Sequence, residues 1–409
     1  MAGRFQAPKG TFDVLPAESE RRARIYVAAA SLFARAGYGR VETPVFEDTE
    51  LFARAVGEAT DIVRKEMFTF EDLGGRSVTL RPEATAPICR AYVEHGMHKL
   101  AQPVKLWAWG PFFRYEAPQA GRFRQFHQID AEAIGSDSPL VDAEQVIMLD
   151  ELLRGLGVEG MRLRLSSLGS AASRAEYREE LKDYLRAHES DLSRDVHERI
   201  DANPLRAFDA DDAGTRAVMA DAPRMLDRLA DEDAEHFAEV RGHLDRAGVE
   251  YQLDGTLVRG LDYYTRTVFE FESDRLGAQA ALGGGGRYDG LVAERGGPDA
   301  PGCGWAAGIE RILLAIPAGG EEPPSGVFVV AADGQRERAL AIVVELRRAG
   351  LAADLDLAAR SVKGQMKQAD RVGAARTVIL EQDGIAQLRD MVSGEQREID
   401  PARLIEEIG

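Results

Sequence analysis

Cysteine is scarce in this chain of 409 residues, which contains only Cys89 and Cys303. Because these two thiols lie far apart in the sequence, we expect a reduced protein without a disulfide framework, and we interpret both as buried free thiols. The seven histidines and two cysteines do not have the spacing of a zinc finger. The sequence therefore predicts no structural zinc.

Long apolar runs are absent as well. The sequence contains no stretch of 18 or more apolar residues, and its first ten residues, MAGRFQAPKG, have no hydrophobic segment of the kind found in secretion signals. We therefore expect a cytoplasmic protein that does not cross a membrane. Hydrophobic residues make up 44% of the chain and charged residues 29%, a composition typical of folded domains. The length predicts two or three of them.

Positive charge is in deficit, since 51 Lys and Arg stand against 69 Asp and Glu, and the net charge is −18. This balance excludes a surface that is basic throughout, although it permits a local basic patch for nucleic acid. Such a patch lies between residues 336 and 376, where nine Lys or Arg accompany five Asp or Glu. A solvated helix face is the alternative interpretation.

Glycine-rich phosphate-binding loops are also missing. Neither GxxxxGK[ST] nor a GxGxxG between a strand and a helix occurs in the sequence. A nucleotide would therefore have to be held by other groups, such as arginine side chains.

Changes in hydrophobic patterning divide the chain into segments. Residues 16–37 have the apolar spacing of an amphipathic helix that ends at Gly37, and alternating runs at 76–85 and again at 104–134 predict strands. Charged helical sequence then predicts a helical insertion, after which strands resume. A Pro-, Gly- and Glu-rich linker precedes alternating strands and helices with a parallel sheet. We expect a first segment with strands at 1–169, the helical insertion at 170–248 and a second segment with strands at 249–318. The linker at 319–326 and a small C-terminal α/β domain at 327–409 follow.

Two neighbouring predicted strands carry closely spaced polar side chains. LWAWGPFFRYE places Arg114 and Glu116 on one strand face, and RQFHQIDAEAIG does the same for Gln128, Asp130 and Glu132. An exposed face with solvated charges is the structural alternative. The density of Arg, Glu and Gln favours a binding site.

Two further motifs have competing explanations. In RPEATAP, Glu83 and Thr85 precede a predicted helix, where they would cap it or receive a substrate ammonium. LVRGLDYYTRTVFE concentrates donors and aromatic rings around Gly260, which favours a site over an Arg–Asp pair at a bulge. The residues concerned are Arg259, Asp262, Tyr263, Tyr264 and Arg266.

Glycine and arginine complete the set of candidate residues. GGGGRYDGL at 283–291 would allow close approach of the backbone to a ligand, or else form a flexible loop. Arg311, in GCGWAAGIERILLA, is either exposed or part of a site. Together with Arg114 and Arg259 it supplies three planar cations suited to phosphate and carboxylate oxygens. The residues alone therefore predict a site for a zwitterion and a polyphosphate.

These motifs together resemble bacterial histidyl-tRNA synthetases, a family of class II aminoacyl-tRNA synthetases, over essentially the whole chain from PKGTFDVLP at 8–16 onward. The three class II motifs correspond to GYGRVETPVFE at 37–47, FRYEAPQAGRFRQFHQ at 113–128 and AAGIERILLA at 306–315. The histidine-specific signatures correspond to LVRGLDYYTRTVFE at 257–270 and GGRYDGL at 285–291.

The resemblance implies an α+β fold, in which an antiparallel sheet with flanking helices precedes an anticodon-binding domain at 327–409. It also implies a homodimer built through motif 1. The implied enzyme converts histidine and ATP, with Mg²⁺, to histidyl-adenylate and pyrophosphate, and then transfers the histidyl group to the 3′ end of tRNA(His). The alternative is the synthetase-like regulatory subunit of ATP phosphoribosyltransferase, which is not catalytic. The C-terminal domain and the three arginines favour the synthetase.

The resemblance also assigns roles to the histidine-binding residues. Glu83, Thr85 and Gln128 would hold the α-amino group. Glu132 and Tyr264 would recognise the imidazole, with Tyr263 lining the same pocket. Asp130 receives no role.

Other roles concern ATP and tRNA. Arg114 would hold the α-phosphate, Arg311 the γ-phosphate, and Arg259 would bridge the substrate carboxylate and the α-phosphate as the catalytic cation. Ala117 stands where the family often has a larger, basic residue. The expected tRNA contacts are Arg122 and Arg124 in the motif 2 loop, and Arg360, Lys363, Lys367 and Arg371 on a predicted C-terminal helix.

Overall fold

The computed structural model describes residues 5–57, 60, 62–259, 261, 263–277, 280–317, 326–383, 385–400 and 403–408. Nearly all of the predicted linker at 319–326, together with Gly260 and Asp262 of the histidine signature, lies outside these residues. The chain divides into two compact units, Met1–Pro317 and Ala318–Gly409. None of the helices within the described ranges is long and apolar enough to cross a membrane.

The first unit is built on an eight-stranded sheet. Its strand order is β1-β5-β6-β11-β10-β9-β7-β8, and all pairs are antiparallel except β1–β5 and β7–β8. A second, three-stranded sheet has the order β2-β4-β3. The strands are β1 Gly39–Arg40, β2 Phe46–Asp48, β3 Phe68–Glu71, β4 Ser77–Leu80, β5 Val104–Phe113, β6 Gln125–Ile134, β7 Met161–Ser167, β8 Gln252–Leu253, β9 Thr265–Ser273, β10 Ala281–Arg287 and β11 Gly302–Gly308. The predicted antiparallel sheet is confirmed.

Helices cover both faces of the large sheet. They are α1 Pro16–Ala36, α2 Thr49–Val56, α3 Thr85–Glu94, α4 Pro139–Gly155, α5 Ala171–Ala187, α6 Arg194–Arg199, α7 Ala213–Ala220, α8 Asp231–Ala247, α9 Leu291–Glu294 and α10 Ile309–Ala315. The predicted first helix is confirmed, and Gly37 ends it in the left-handed conformation at φ 77°. One core packs α1, α4 and α8 on one sheet face, and a second core packs α2 and α3 on the other. Both cysteines are buried and free, as predicted.

Helices α5 to α8 occupy the segment predicted as a helical insertion. Tyr177, Leu181 and Leu185 are buried on one face of α5, at the spacing of an amphipathic helix. They pack with Val196 and Met219 in a separate hydrophobic cluster. The part of the segment from α5 to α7 therefore has a core of its own, whereas α8 packs in the core of the large sheet.

The glycine run of GGGGRYDGL forms strand β10 in the middle of the large sheet, so its interpretation as a flexible loop is wrong. Gly283–Gly286 pair with β9 on one side and β11 on the other. A Cβ on Gly285 would overlap the carbonyl oxygen of Gly304 and lie 2.6 Å from Cα of Trp305. The strands approach so closely that this position accommodates only glycine.

The second unit is a five-stranded sheet with helices. Its strands are β12 Val327–Ala331, β13 Ala353–Leu355, β14 Arg376–Leu380, β15 Ala386–Asp390 and β16 Gln396–Ile399, and its helices are α11 Arg336–Arg348, α12 Val362–Arg371 and α13 Leu404–Ile408. β12 pairs in parallel with β13 and β14. The sheet is mixed rather than parallel as predicted, because short connections join β14, β15 and β16 as antiparallel neighbours.

Candidate active site

A cleft of about 210 Å³ opens on the face of the large sheet that packs against α3. Strands β6, β9, β10 and β11 form its floor, and the start of α3 and of α10 form its ends. Most of the site residues predicted in the first unit line this cleft. They are Glu83, Thr85, Arg114, Arg122, Gln128, Arg259, Tyr263, Tyr264 and Arg311.

The polar face of β6 is buried, so its interpretation as a solvated strand face is wrong. Asp130 and Glu132 are each 1% exposed. β6 is covered on both sides, by β5 and by β11, and Gly304 lies opposite Glu132. A Cβ on Gly304 would overlap the Glu132 carboxylate. The neighbouring strand therefore leaves room for a buried acid.

Glu132 is held from both sides. The hydroxyl of Thr85 donates to its Oε1 at 2.6 Å, and the hydroxyl of Tyr288 donates to its Oε2 at 2.5 Å. Burial raises the pKa of Glu132 to about 8. Sequence reasoning missed Tyr288 as a site residue, although it lies in the GGRYDGL signature and lines the cleft.

Glu83 performs the capping role that the sequence suggested and also lines the cleft. Its Oε2 accepts the backbone N–H of Thr85 at 2.7 Å, and its Oε1 accepts that of Ala86 at 3.0 Å. These bonds satisfy two donors at the start of α3. Burial raises the pKa of the Glu83 carboxyl.

Arg259 reaches the cleft beside Glu270 of β9. Its Nη1 donates to Oε2 of Glu270 at 2.5 Å, and its guanidinium lies over the ring of Tyr264, 5.9 Å from the centroid. Burial alone would lower the pKa of Arg259, but the Glu270 carboxylate raises it. A cation is therefore fixed in the middle of the cleft.

Two other arginines enter the same cleft. Nε of Arg114 donates to the carbonyl oxygen of Pro82 at 3.0 Å. Arg311 is half-buried and not exposed, because its Nε and Nη1 donate to the carbonyl oxygens of Gly121 and Ala281 at 3.1 and 2.8 Å. Burial lowers the pKa of both groups. The predicted set of three guanidiniums therefore converges.

The other arginines of motif 2 and of the histidine signature have different surroundings. Arg122 lines the cleft and forms an ion pair with Glu116, whereas Arg124 does not line it and stacks on Tyr115, 3.7 Å from the ring centroid. Arg266 has a φ of 46° and forms ion pairs with Asp233 and Glu232 of α8. Arg266 therefore connects the histidine signature to the helical insertion.

The basic residues of the second unit are exposed on and near α12. Lys363, Lys367 and Arg371 lie on the helix, but the expectation that Arg360 does so is wrong. Ser361 caps α12, and Arg360 precedes this cap, with its guanidinium paired to Asp356. Three exposed cations on one helix remain for an anionic partner.

No group of three or more His, Cys, Asp or Glu side chains is placed to hold a metal ion among the residues that the structure describes. Glu116 and Glu270, which line the cleft, are both in ion pairs with arginines.

The titration of Glu132 gives a first prediction. Its folded pKa of about 8 lies above the ordinary carboxyl value, so folding takes up a proton. The contribution of Glu132 to stability is complete below about pH 4.3 and is lost as the pH rises to about 8, with a slope of at most about 1.4 kcal/mol per pH unit. Urea denaturation between pH 5 and 9 should show the slope reduced in Glu132→Gln. Parallel curves for the two proteins would contradict this.

Comparison with known proteins agrees with this geometry. The family model for histidyl-tRNA synthetase matches residues 10–312, and a model for an anticodon binding domain matches residues 326–409. The histidine–tRNA ligase of Rubrobacter xylanophilus is 49% identical, over 97% of this chain and 96% of the relative. That of Rhodococcus opacus is 46% identical, over 100% and 98%.

Solved structures give the same result. Apo histidyl-tRNA synthetase from S. aureus superposes with a TM-score of 0.83 at 37% identity, covering 99% of this chain and 100% of the other. A Bacillus halodurans protein described as an ATP phosphoribosyltransferase regulatory subunit/histidyl-tRNA synthetase has a TM-score of 0.67 at 23% identity, covering 91% and 97%. The second likeness concerns the fold alone. The chain belongs to the histidyl-tRNA synthetase family.

Proposed function

We propose that the protein activates L-histidine with ATP and transfers the histidyl group to the 3′ end of tRNA(His). The observation that carries this proposal is the convergence of Arg114, Arg259 and Arg311 on one cleft, next to the buried carboxylates of Glu83 and Glu132. Such a site matches the charges of a zwitterionic amino acid and a triphosphate.

In the first step, a carboxylate oxygen of histidine attacks the α-phosphorus of ATP. The new O–P bond forms as the bond to pyrophosphate breaks, and histidyl-adenylate remains. Since the attacking carboxylate is already ionised at pH 7, the step needs no general base. The protein contributes alignment and charge neutralisation. We assign the α-phosphate to Arg114, the γ-phosphate to Arg311, and the carboxylate and α-phosphate together to Arg259.

Histidine itself is recognised at the floor of the cleft. We assign its α-ammonium group to Glu83, Thr85 and Gln128, and its imidazole to Glu132 and Tyr264. Tyr263 closes the pocket, with its ring centroid 4.8 Å from that of Tyr264. An amino acid without the imidazole donors would lose the proposed hydrogen bond to the buried Glu132, at a cost of about 1–3 kcal/mol.

We propose that Mg²⁺ enters the site bound to ATP. The phosphate oxygens supply hard oxygen ligands of the kind that Mg²⁺ prefers, and the ion typically retains several waters. Its contribution is to neutralise phosphate charge during the transfer.

The match to an anticodon-binding domain indicates tRNA as the partner of the second unit. We propose that Lys363, Lys367 and Arg371 of α12 contact tRNA phosphates, and that Arg122 approaches the acceptor end from the motif 2 loop. The exposure of the three α12 side chains and their single sign of charge support this.

Reversing two of these charges tests the tRNA contact. The double variant Lys363→Glu/Lys367→Glu is expected to weaken tRNA(His) binding at least tenfold and to lower the slope of log Kd against log salt, because two phosphate contacts are lost. Filter binding at several salt concentrations measures both quantities. The matched control is Arg397→Glu/Arg403→Glu, with the same change of charge elsewhere in the domain. Equal effects of the two double variants would contradict a specific role for α12.

A homodimer in the cytoplasm is part of the same proposal. Val45 and Phe46, at the end of motif 1, are 39% and 55% exposed. Exposed apolar side chains beside a sheet edge are typical of an interface between subunits. Light scattering that gives twice the mass of the chain would support the dimer, and a monomer would contradict it.

The decisive experiment is exchange of labelled pyrophosphate into ATP by purified protein with Mg²⁺ and without tRNA. This assay measures the adenylate step alone. We expect exchange with histidine and not with other amino acids, because the proposed pocket recognises the imidazole. Absence of exchange from folded protein would instead favour the non-catalytic regulatory subunit. The anticodon-binding domain match and the three convergent arginines support the enzyme.

A further inference from the structure

Three buried carboxyl groups lie on or next to the cleft. Glu83 and Asp130 line it, whereas Glu132 does not line it and is bonded to the lining residues Thr85 and Tyr288. Asp130 differs from the other two. Both oxygens of Glu83 accept backbone N–H groups, and both oxygens of Glu132 accept hydroxyl groups. Oδ2 of Asp130 is buried, and no residue of the described ranges donates a hydrogen bond to it. The side chain of Asp130 is 1% exposed and lines the cleft. A buried acceptor without a donor is costly, so this atom requires an explanation.

The two strands beside Asp130 place no donor side chain opposite it. On the two neighbouring strands, the residues opposite it are Ala108 of β5 and Ala306 of β11. Along β6 itself, Gln128 and Glu132 lie on the same face, one on each side. Oε1 of Gln128 is also buried and also lacks a donor among the described side chains. Two acceptors without donors, one on Gln128 and one on Asp130, therefore face the cleft from alternate residues of one strand, whose Cα atoms are about 7 Å apart.

The charges around Asp130 favour a cationic ligand. Burial and the nearby carboxylate of Glu132 raise the pKa of Asp130 well above its ordinary value, while Arg81 and Arg114 act in the opposite direction. Arg81 donates its Nε and Nη1 hydrogens to the backbone oxygens of Pro111 and Thr43. A positively charged donor bound in the cleft would stabilise the carboxylate form.

We propose that Asp130 is a further histidine-binding residue, whose Oδ2 accepts a hydrogen bond from the α-ammonium group of the substrate next to Oε1 of Gln128. An ammonium group has three donors, no acceptor and a full positive charge, which matches two unsatisfied acceptors of which one is a carboxylate. A neutral imidazole N–H is a single donor, and Glu132 and Tyr264 are available to it. This inference rests on the proposed activation of histidine.

Three ligands distinguish the ammonium contact from other roles. Histidinol has the ammonium and the imidazole but no carboxylate, and imidazolepropionic acid has the imidazole and the carboxylate but no ammonium. For Asp130→Asn, titration calorimetry should show at least about tenfold weaker binding of histidine and histidinol, and less than twofold change for imidazolepropionic acid. Equal losses for all three ligands, or no loss, would overturn the proposal.

Further variants separate this contact from a structural role. Asp150→Asn removes a carboxylate that is 7% exposed on α4, outside the residues that line the cleft, and should leave all three affinities unchanged. If Asp130→Asn does not fold, Asp130→Ser removes the charge with less bulk, and the same pattern of affinities is expected. Histidine-dependent pyrophosphate exchange by the wild-type protein tests the proposed function separately. Its failure would leave the comparison of ligands interpretable.

Discussion

Replacing Arg259 by alanine is expected to slow histidine-dependent adenylate formation by about 10²–10³-fold, while histidine binding weakens less than tenfold. The reason is that the guanidinium lines the cleft and, in the proposed reaction, faces the negative charge that develops on the α-phosphate as the carboxylate attacks. An interaction made mainly in the transition state affects the rate more than the affinity. Single-turnover adenylate formation and calorimetric titration of histidine measure the two quantities.

Two controls separate charge from geometry at this position. Arg259→Lys keeps the positive charge without the planar fork, so we expect it to recover only part of the rate. Arg275→Ala removes an exposed arginine paired with Glu159 and should change neither quantity. Equal losses of rate and of histidine affinity in Arg259→Ala would show that Arg259 binds the ground state as strongly as the transition state.

The second large effect is expected from Gly285→Ala, which should lower the free energy of unfolding by about 3 kcal/mol or more. Gly285 lies between Phe269 of β9 and Trp305 of β11. The added methyl group would overlap the Gly304 carbonyl oxygen and lie 2.7 Å from Cβ of Trp305. One neighbour is strand backbone and the other is a buried core side chain, so displacing either of them costs free energy. Urea denaturation measures the loss.

The matched control for this glycine is Gly155→Ala. Gly155 is the last residue of α4, and a Cβ there would meet no atom within 4 Å. We expect alanine to be neutral or to stabilise the protein by up to about 1 kcal/mol, because it reduces the freedom of the unfolded chain. Similar destabilisation by both substitutions would contradict the steric argument for β10.

The sequence pattern alone predicted those elements whose structure depends on a single local rule, such as strand alternation or helical periodicity. The period-two alternation of RQFHQIDAEAIG correctly placed Gln128, Asp130 and Glu132 on one face of β6, and helical periodicity with Gly37 correctly gave the first helix. Pattern alone left open whether the β6 face was solvated, because its burial depends on distant parts of the sequence, such as β11, which pairs with β6, and α3, which packs on the same sheet face. The resemblance to a family decided in favour of a site.

Other features depended on tertiary contacts that the sequence pattern does not express. Four consecutive glycines have low strand propensity, yet β10 is the central strand because its neighbours approach too closely for side chains. Tyr288 follows that run, and only the folded sheet brings it to Glu132. Arg360 was assigned to a helix that begins later, since Ser361 supplies the cap. Arg124 stacks on Tyr115, a contact made by the turn between two strands.

The left-handed backbone of Arg266 has a mechanical consequence. An arginine at a φ of 46° is strained, and it holds this conformation while its side chain is anchored to Asp233 and Glu232 of α8 and its backbone is bonded to Leu168 and Gly169. Arg266 stands two residues after Tyr264. The helical insertion is thus anchored to the chain next to the aromatic wall of the amino-acid pocket, and a displacement of α8 would be transmitted toward Tyr264 through the side chain of Arg266.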